Sequence, residues 1–327
     1  TVCDNELYEN VALVTDDTMA DKLLTGHLNK IIETAVRAGM PMEKAIYCAT
    51  WTPSRRMHLD DRGMIAPGKI ADFMLLDSLD GIDPVVVYKK GECVYCKDKE
   101  AYGAAEAAAC SFPASFYHTI NCRPAEISDF VLKAEDPDAK WAEVNVMKIG
   151  TFGTATTPVK RRVEVKDGVL DWKSAGLSLA VVFERYGKNG YGLVEGALTK
   201  PGAVATTWSH DSHNLFVLGT DENDMKLAQR RVLELQGAYV VFAGGKSLAE
   251  ARLTIGGIVS DQPIEVLGQE LKEVRAAMEG LGYVNNNVIM SMSTLCLPVS
   301  PKLKLTDHGL LTVPGQEHVP LVEKYGK

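Results

Sequence analysis

The first sixty residues combine a short apolar run with two helical patterns. Residues 11–14 are apolar and end in Thr15-Asp16-Asp17, which predicts a buried strand with polar groups at its C-terminal end. Apolar residues at helical spacing predict one helix over residues 19–38, ended by Gly39. A second helix is predicted from Pro41, a residue suited to a first helical turn, towards Pro53.

From Gly63 the hydrophobic period becomes that of strands. A turn at Pro67-Gly68 is predicted to lead into a buried strand that ends near Asp77. Residues 85–95 predict a hairpin that turns near Lys90-Gly91. Residues 97–113 are rich in Ala, Glu and Lys without a strong apolar stripe, so the domain boundary is expected there.

The second half of the chain predicts an α+β domain. A helix over residues 222–236 should begin after Asp221 and end at Gly237, and a final helix is predicted over residues 264–281. A hairpin is expected around Gly244-Gly245. The other predicted strands are residues 130–134, 141–149, 159–165, 177–184, 191–195, 203–207 and 215–219. The chain is expected to divide into four parts. These are two N-terminal segments over residues 1–58 and 59–98, a linker over residues 99–120, and a C-terminal domain over residues 121–327.

Composition narrows the function classes. With 46% hydrophobic and 24% charged residues, the 327-residue chain should fold as a globular protein. Its 43 acidic and 35 basic residues give a charge of −8, which disfavours nucleic acid and anionic membranes as partners. No apolar run is long enough to span a membrane, and the N-terminus does not look like a signal peptide. Seven scattered cysteines favour reduced thiols and a cytoplasmic protein.

Two acidic residues are the first candidates for chemistry. Asp16 and Asp17 follow the predicted strand, and the C-terminal ends of barrel strands are where catalytic groups of (β/α)8 enzymes lie. The alternative is that one of them caps the helix predicted from Met19 and the other is solvated. Spacing alone favours the second interpretation.

A dense polar segment follows the strand predicted at residues 203–207. His210, Asp211, His213 and Asn214 could form a metal or substrate site, because imidazole and carboxylate ligands suit Fe, Mn or Zn. The alternative is a polar turn in which Asp211 and Asn214 satisfy backbone donors. The pattern leaves the two about equally favoured.

A charged loop at residues 184–190 lies between two predicted strands. Arg185, Lys188 and Asn189 could belong to a lid over a substrate site, whereas an ordinary hairpin turn explains the same pattern. Cys93 and Cys96 have the spacing of a metal or redox pair, but no second pair follows, so structural thiols are favoured.

Several ordered segments carry a family resemblance. Thr15-Asp16-Asp17, Gly26-His27 and the run from Gly63 to Asp72, Gly-Met-Ile-Ala-Pro-Gly-Lys-Ile-Ala-Asp, resemble the last part of an amidohydrolase. Residues 183–190, 209–214, 219–225 and 298–307 resemble the C-terminal region of the bacterial adenine deaminases. The resemblance covers nearly the whole chain. It implies the last strand and helices of a (β/α)8 barrel, part of its small β-sandwich, and then a C-terminal α+β domain.

The resemblance also implies an activity. Adenine deaminases hydrolyse adenine to hypoxanthine and ammonia on one or two divalent metals, with Mn²⁺ or Fe²⁺ expected. Asp16 aligns with the metal ligand of the family, so it would bind the metal and accept the proton of the attacking water. Asp17 would be a neighbour that orients or caps. The 209–214 segment would contribute purine contacts or close the site. The substrate would be a small purine, and a homo-oligomer is expected.

One departure from the family affects this expectation. The first-strand His-x-His pair is absent, because no two of the seven histidines are separated by one residue. Only 15 residues precede Asp16, whereas a whole barrel takes about 250. The chain is therefore expected to be a C-terminal portion that is inactive alone, with most metal ligands elsewhere, and its barrel-facing residues Leu13, Val14, Ile31 and Val36 should be exposed. The alternatives are another amidohydrolase, acting on guanine or a dihydropyrimidine, and a non-catalytic docking or oligomerisation module.

Overall fold

The chain forms two compact units. The computed structural model describes residues 1–79, 81–98 and 111–327, and the units are Thr1–Ser111 and Phe112–Lys327, here called the N-terminal and C-terminal units. Residues 112–120 of the predicted linker belong to the C-terminal unit, where Ile120 is buried in the core. Residues 99–110 of that linker lie outside the described residues. The finer division at residue 58 stays a prediction.

Three helices open the N-terminal unit. They are α1 (Ala20–Leu23), α2 (Leu28–Arg37) and α3 (Met42–Arg56). The prediction of a single helix over residues 19–38 is wrong, because Gly26 has a φ of 142° and interrupts the helical backbone. Gly39, at φ 101°, lies just beyond the end of α2, as predicted. The α3 helix continues one turn past Pro53.

The strand predicted at residues 11–14 does not form. A strand is stabilised by a ladder of hydrogen bonds to a neighbouring strand, and Leu13 instead donates its N–H to the carbonyl of Cys48 in α3, at 2.9 Å. Four residues were expected to be exposed: Leu13, Val14, Ile31 and Val36. Only Val14 is, with 60% of its surface accessible. Leu13 and Val36 pack against the small core formed by Ile32, Ala45, Ala49 and Ile82.

A three-stranded antiparallel sheet completes the described part of the N-terminal unit. Its strands are β1 (Phe73–Leu76), β2 (Pro84–Lys89) and β3 (Glu92–Cys96), in that order. The predicted hairpin turn is confirmed: Lys89 pairs with Glu92, and Lys90 and Gly91 have φ values of 53° and 83°. The carboxylate of Asp72 accepts the Lys90 N–H at 2.8 Å and pairs with the Lys89 ammonium, which fixes the turn.

A ten-stranded mixed sheet dominates the C-terminal unit. Its strand order is β12-β11-β9-β10-β7-β8-β4-β5-β6, and β16 also pairs with β4. These strands are β4 (Trp141–Ile149), β5 (Thr156–Lys166), β6 (Val169–Asp171), β7 (Ser178–Phe183), β8 (Asn189–Glu195), β9 (Ala203–Thr206), β10 (Leu215–Gly219), β11 (Ala238–Ala243), β12 (Lys246–Arg252) and β16 (Val322–Gly326).

Strand β4 accommodates two neighbours on its edge away from β5. It pairs with β8 in parallel at Val146, Met147 and Lys148, and with β16 antiparallel at residues 141–144. The other ladders of this sheet are antiparallel. Strands β7, β9 and β10 are buried at every position, as expected for strands covered on both faces.

The remaining elements pack around the sheet. They are the helices α4 (Glu222–Leu235), α5 (Ile264–Gly280) and α6 (Val288–Ser293), and a small sheet of β13 (Leu303–Thr306), β14 (Gly309–Thr312) and β15 (His318–Val319). The predicted start of α4 is confirmed, since the Asp221 side chain accepts the N–H of Asp224. The short elements α6 and β13–β16 were not predicted.

The strand predicted at residues 130–134 is wrong. Residues Ile127–Phe130 form a 3₁₀ helix, opened by reciprocal hydrogen bonds between Glu126 and Asp129. Phe130 is fully buried, so its apolar character reflects core packing rather than a strand. Only Lys133 in this stretch forms an isolated bridge, to Val169.

Two further features concern the cysteines and the lengths of the helices. The six cysteines in the described part of the chain are all free thiols. No helix within the described residues has the length and apolar content needed to cross a bilayer.

Candidate functional site

Asp16 and Asp17 lie in the N-terminal unit, on a stretch without regular secondary structure. Both side chains are exposed. The backbone of Asp16 has a φ of 53°, and its Oδ1 accepts the N–H of Asp17 at 2.8 Å. Aspartate tolerates this left-handed conformation because its short side chain can bond locally. One carboxylate oxygen of Asp16 is therefore engaged in a local hydrogen bond.

The described residues do not make a metal centre by themselves. Across residues 1–79, 81–98 and 111–327, no three His, Cys, Asp or Glu side chains lie close enough together to hold a metal ion. A catalytic dication needs about three protein ligands. Asp16 can supply one carboxylate, so the donor set of the described residues does not by itself fit the metal that the family resemblance implies.

The second candidate site lies in the C-terminal unit, in the loop between β9 and β10. This loop, residues 207–214, is closed by its own hydrogen bonds: the Ser209 hydroxyl donates to the Asn214 carbonyl at 2.6 Å, and the His213 N–H donates to the Ser209 carbonyl at 2.8 Å. Ser293 at the end of α6 holds it from outside, since its hydroxyl donates to the Trp208 carbonyl at 2.6 Å. The loop is a folded unit rather than an open turn.

His210 and Asp211 form an oriented pair. Nδ1 of His210 lies 3.0 Å from Oδ1 of Asp211. Because a carboxylate only accepts hydrogen bonds, Nδ1 carries a proton and donates it to Asp211. The Trp208 ring meets the His210 ring edge to face, with centroids 4.6 Å apart. These two contacts fix the orientation of the His210 ring.

His213 lies in surroundings that disfavour a charged imidazole. Its ring centroid lies 5.9 Å from that of His210. Burial lowers the pKa of His213, and the nearby His210 and Arg185 lower it further, against smaller opposing effects of Asp211 and the Thr207 backbone. His213 is therefore neutral at physiological pH. Its Nδ1 is buried and has no hydrogen-bond partner within the described chain.

Arg185 and Asn214 face into the protein. The Arg185 Nε donates to the His213 carbonyl at 2.9 Å, and its backbone N–H donates to Oδ1 of the buried Asn214 at 3.3 Å. Burial lowers the pKa of the Arg185 guanidinium. These contacts bring Arg185 together with the 207–214 loop, as expected if the two segments act jointly.

Lys188 and Asn189 occupy the hairpin between β7 and β8. Lys188 is exposed, its N–H donates to the Glu184 carboxylate at 3.1 Å, and its carbonyl accepts the Glu184 N–H at 2.8 Å. Asn189 is the first residue of β8 and pairs with Phe183. These contacts are those of a closed hairpin.

Three contributors were missed by sequence reasoning. Trp208 packs against the His210 ring, Ser293 anchors the loop, and Thr119 accepts hydrogen bonds from Arg185. Trp208 adjoins the polar segment, so an aromatic residue beside two histidines was a usable signal. Thr119 and Ser293 lie far away in sequence, and no local pattern marks them.

Comparisons with known proteins identify the family. The family model described as adenine deaminase C-terminal domain matches residues 153–317 of this chain. This chain belongs to that family. The match includes Arg185 and the whole 207–214 loop. A second model, described as amidohydrolase family, matches residues 5–100, which include Asp16 and Asp17.

Named relatives match this chain over almost its whole length. It is 46% identical to adenine deaminase 2 of Oenococcus oeni over 98% of this chain and 56% of that protein. It is 46% identical to an adenine deaminase of Clostridium perfringens over 95% of this chain and 55% of that protein. An adenine deaminase of Lactobacillus delbrueckii subsp. bulgaricus is 42% identical over 99% of this chain and 57% of that protein. The chain thus spans little more than half the length of these curated relatives.

Proposed function

We propose that this chain serves the hydrolytic deamination of adenine to hypoxanthine and ammonia, as the C-terminal part of an adenine deaminase. The observation that carries the proposal is the 46% identity to adenine deaminase 2 of Oenococcus oeni along 98% of the chain. Both regions that hold candidate residues lie within matched family models. The substrate is then a small purine, the compartment the cytoplasm, and the assembly a homo-oligomer.

Asp16 is proposed as the acidic residue of the reaction. Its exposed carboxylate can accept a proton from the attacking water and can give one oxygen ligand to a divalent metal, Mn²⁺ or Fe²⁺. The remaining ligands are proposed to come from the part of the adenine deaminases that this chain does not match, since it spans 56% of the Oenococcus oeni relative. Asp17 is proposed as its orienting neighbour, on the strength of the hydrogen bond between them. The barrel-end and β-sandwich descriptions of the N-terminal unit belong to the same proposal.

The 207–214 loop is proposed to contact the purine. Adenine offers ring nitrogen acceptors and an amino donor. The loop lies within the matched adenine deaminase C-terminal domain, and its imidazole and amide side chains are of the kinds that donate to and accept from such edges. Asp211 orients His210, Asn214 fixes the loop from inside, and Lys188 and Asn189 shape the neighbouring hairpin.

The test is adenine turnover with a matched pair of variants. The 327-residue chain is assayed with Mn²⁺ or Fe²⁺, alone and joined to the part of the Oenococcus oeni relative that it does not match. We expect activity only in the joined protein, and Asp16→Asn to lower kcat by about 10² to 10⁴. Asp138→Asn, an exposed turn residue, is the control and should keep activity.

Other results would redirect the proposal. Turnover of guanine or a dihydropyrimidine in preference to adenine would identify a different amidohydrolase. Full activity of Asp16→Asn would remove Asp16 from the reaction. No turnover of any of these substrates by the joined protein would favour a docking module.

A further inference from the structure

The guanidinium of Arg185 joins four segments of the C-terminal unit. Arg185 itself lies on the hairpin between β7 and β8. Its Nε donates to the His213 carbonyl at 2.9 Å, its Nη1 to the Thr119 hydroxyl at 3.1 Å, and its Nη2 to the Gly256 carbonyl at 3.0 Å. Each of the three nitrogens is therefore bonded to a different segment of the chain.

The acceptors of these hydrogen bonds are neutral groups of the protein that serve a structural role. They are two main-chain carbonyls and a hydroxyl, with the Thr119 carbonyl as a further acceptor at 3.4 Å. The guanidinium group is planar, so acceptor oxygens around it fix both the lengths and the directions of its hydrogen bonds. A single ammonium group does not impose such directions. A guanidinium in this position is committed to the protein and does not reach out to a substrate.

A glycine at position 257 allows the Arg185 guanidinium to approach the main chain closely. Gly257 has a φ of 73°, and a Cβ at that position would lie 3.3 Å from Nη2 of Arg185 and 2.8 Å from Cδ1 of Ile120. A glycine here therefore suits both the turn and the close approach of Arg185. The adjacent Gly256 supplies the carbonyl acceptor.

The same residue acts on the loop in a second way. The backbone N–H of Arg185 bonds the Asn214 side chain at 3.3 Å, while the Ser209 hydroxyl bonds the Asn214 carbonyl at 2.6 Å. Arg185 thus holds two successive residues of the loop, His213 through its side chain and Asn214 through its main chain. Both lie at the point where the loop enters β10.

We propose that Arg185 is a positioning residue, which fixes His213 and Asn214 against the β7–β8 hairpin, Thr119 and Gly256. Its value for the reaction rests on the proposed function of the 207–214 loop in purine binding. Arg185 does not touch substrate in this scheme. Arg185 acts through His213, which contacts the substrate in this scheme.

The first experiment measures amide hydrogen exchange in the 327-residue chain. In Arg185→Ala, exchange of the His213 N–H should become about tenfold or more faster, because the loop opens more readily. Val217 in the middle of β10 should keep its protection, which separates a local change from general loss of stability. Arg252→Ala, at an exposed position of β12, is the matched control and should leave His213 unchanged.

Rescue distinguishes positioning from simple packing. Arg185→Lys should restore protection only in part, since one ammonium cannot meet all three acceptors. Guanidinium ion added at low concentration should slow His213 exchange in Arg185→Ala and leave the parent protein unaffected. Unchanged His213 exchange in Arg185→Ala would overturn the proposal, as would acceleration spread evenly to Val217.

A kinetic measurement separates this proposal from the proposed function. In the joined, active protein, Arg185→Ala should raise the KM for adenine more than it lowers kcat, and guanidinium should reverse the change. If His213 exchange accelerates while adenine kinetics stay unchanged, Arg185 still fixes the loop, but the loop does not bind the purine. If the joined protein has no deaminase activity, the exchange result alone decides the role of Arg185.

Discussion

At the scale of single residues, the C-terminal unit contains a fully buried lysine that the sequence did not single out. Lys304 in β13 is 0% exposed, and its ammonium donates to the Thr154 carbonyl at 2.9 Å. Burial lowers the pKa of Lys304 to about 8. A charge with one neutral acceptor is poorly compensated there, so Lys304 reduces stability at neutral pH.

The pH dependence of stability should reveal this lysine. Between pH 8 and pH 10.5 the unfolded chain holds the proton of Lys304 and the folded chain does not, so the free energy of unfolding rises with pH in this window. Lys304→Met should abolish that increment, which is on the order of 3 kcal/mol. Chemical unfolding of both proteins at pH 7 and pH 10 gives the measurement.

The difference between variant and parent is the informative quantity. Burial raises the pKa of the neighbouring Cys296, which acts on stability in the opposite direction as pH rises. Lys272→Met, an exposed position on α5, serves as control. The same pH slope in Lys304→Met and in the parent would show that Lys304 is not the titrating group.

At the scale of elements, the contact between β8 and the small β13–β15 sheet depends on a glycine. A Cβ on Gly190 would lie 1.8 Å from the carbonyl oxygen of Thr306, which is main chain and cannot turn away. We therefore expect Gly190→Ala to lower the free energy of unfolding by about 2–3 kcal/mol or more, measured by urea unfolding.

A second glycine provides the matched control. Gly280 at the end of α5 has no left-handed backbone, and a Cβ added there would meet nothing within 4 Å among the described residues. Gly280→Ala should leave stability unchanged or raise it by up to about 1 kcal/mol, since alanine is the better helix former. Equal effects of the two substitutions would contradict the packing argument.

The elements also show what the sequence could predict. Strands β4 and β10 agree with their predicted bounds, and α4 begins at the predicted cap, because local pattern and tertiary packing favour the same structure there. Residues 11–14 and 130–134 have equally apolar patterns without forming strands. In the first stretch, Leu13 donates its N–H to Cys48 in α3. In the second, a 3₁₀ helix takes up Phe130, and Leu132 and Ala134 bond Leu170 and Gly168 around a single isolated bridge, which is too short for a strand.

The candidate site likewise contains residues that the sequence pattern predicted and contacts that it did not. His210, Asp211, His213 and Asn214 are adjacent in sequence, so their cluster was visible as a pattern. The bond between Arg185 and the same loop is compatible with a lid at residues 184–190, but the pattern of that segment did not favour a lid over a hairpin turn. Its bonds to Thr119 and Gly256 join residues 66 and 71 positions away, which periodicity and composition do not reveal.

At the scale of the whole molecule, the two units differ in how they expose apolar side chains. The N-terminal unit exposes Ile65 at 85% and Val94 at 55%, the latter on β3 of a sheet with three described strands. The C-terminal unit has a continuous core beneath its large sheet, and its exposed apolar residues include Val299 at 70%. A small sheet with exposed apolar residues favours association.

Self-association of the purified chain should therefore depend on the N-terminal unit. We expect light scattering and binding of an apolar dye by the 327-residue chain, both reduced in the double variant Ile65→Ser/Val94→Thr. Threonine keeps the β-branched shape that a strand favours, so β3 should persist. Val299→Thr, a change at an exposed position in the other unit, should leave both signals as they are. A parent chain that stays monodisperse and binds no dye would contradict the argument, because the exposed side chains would then be too scattered to form a cohesive surface.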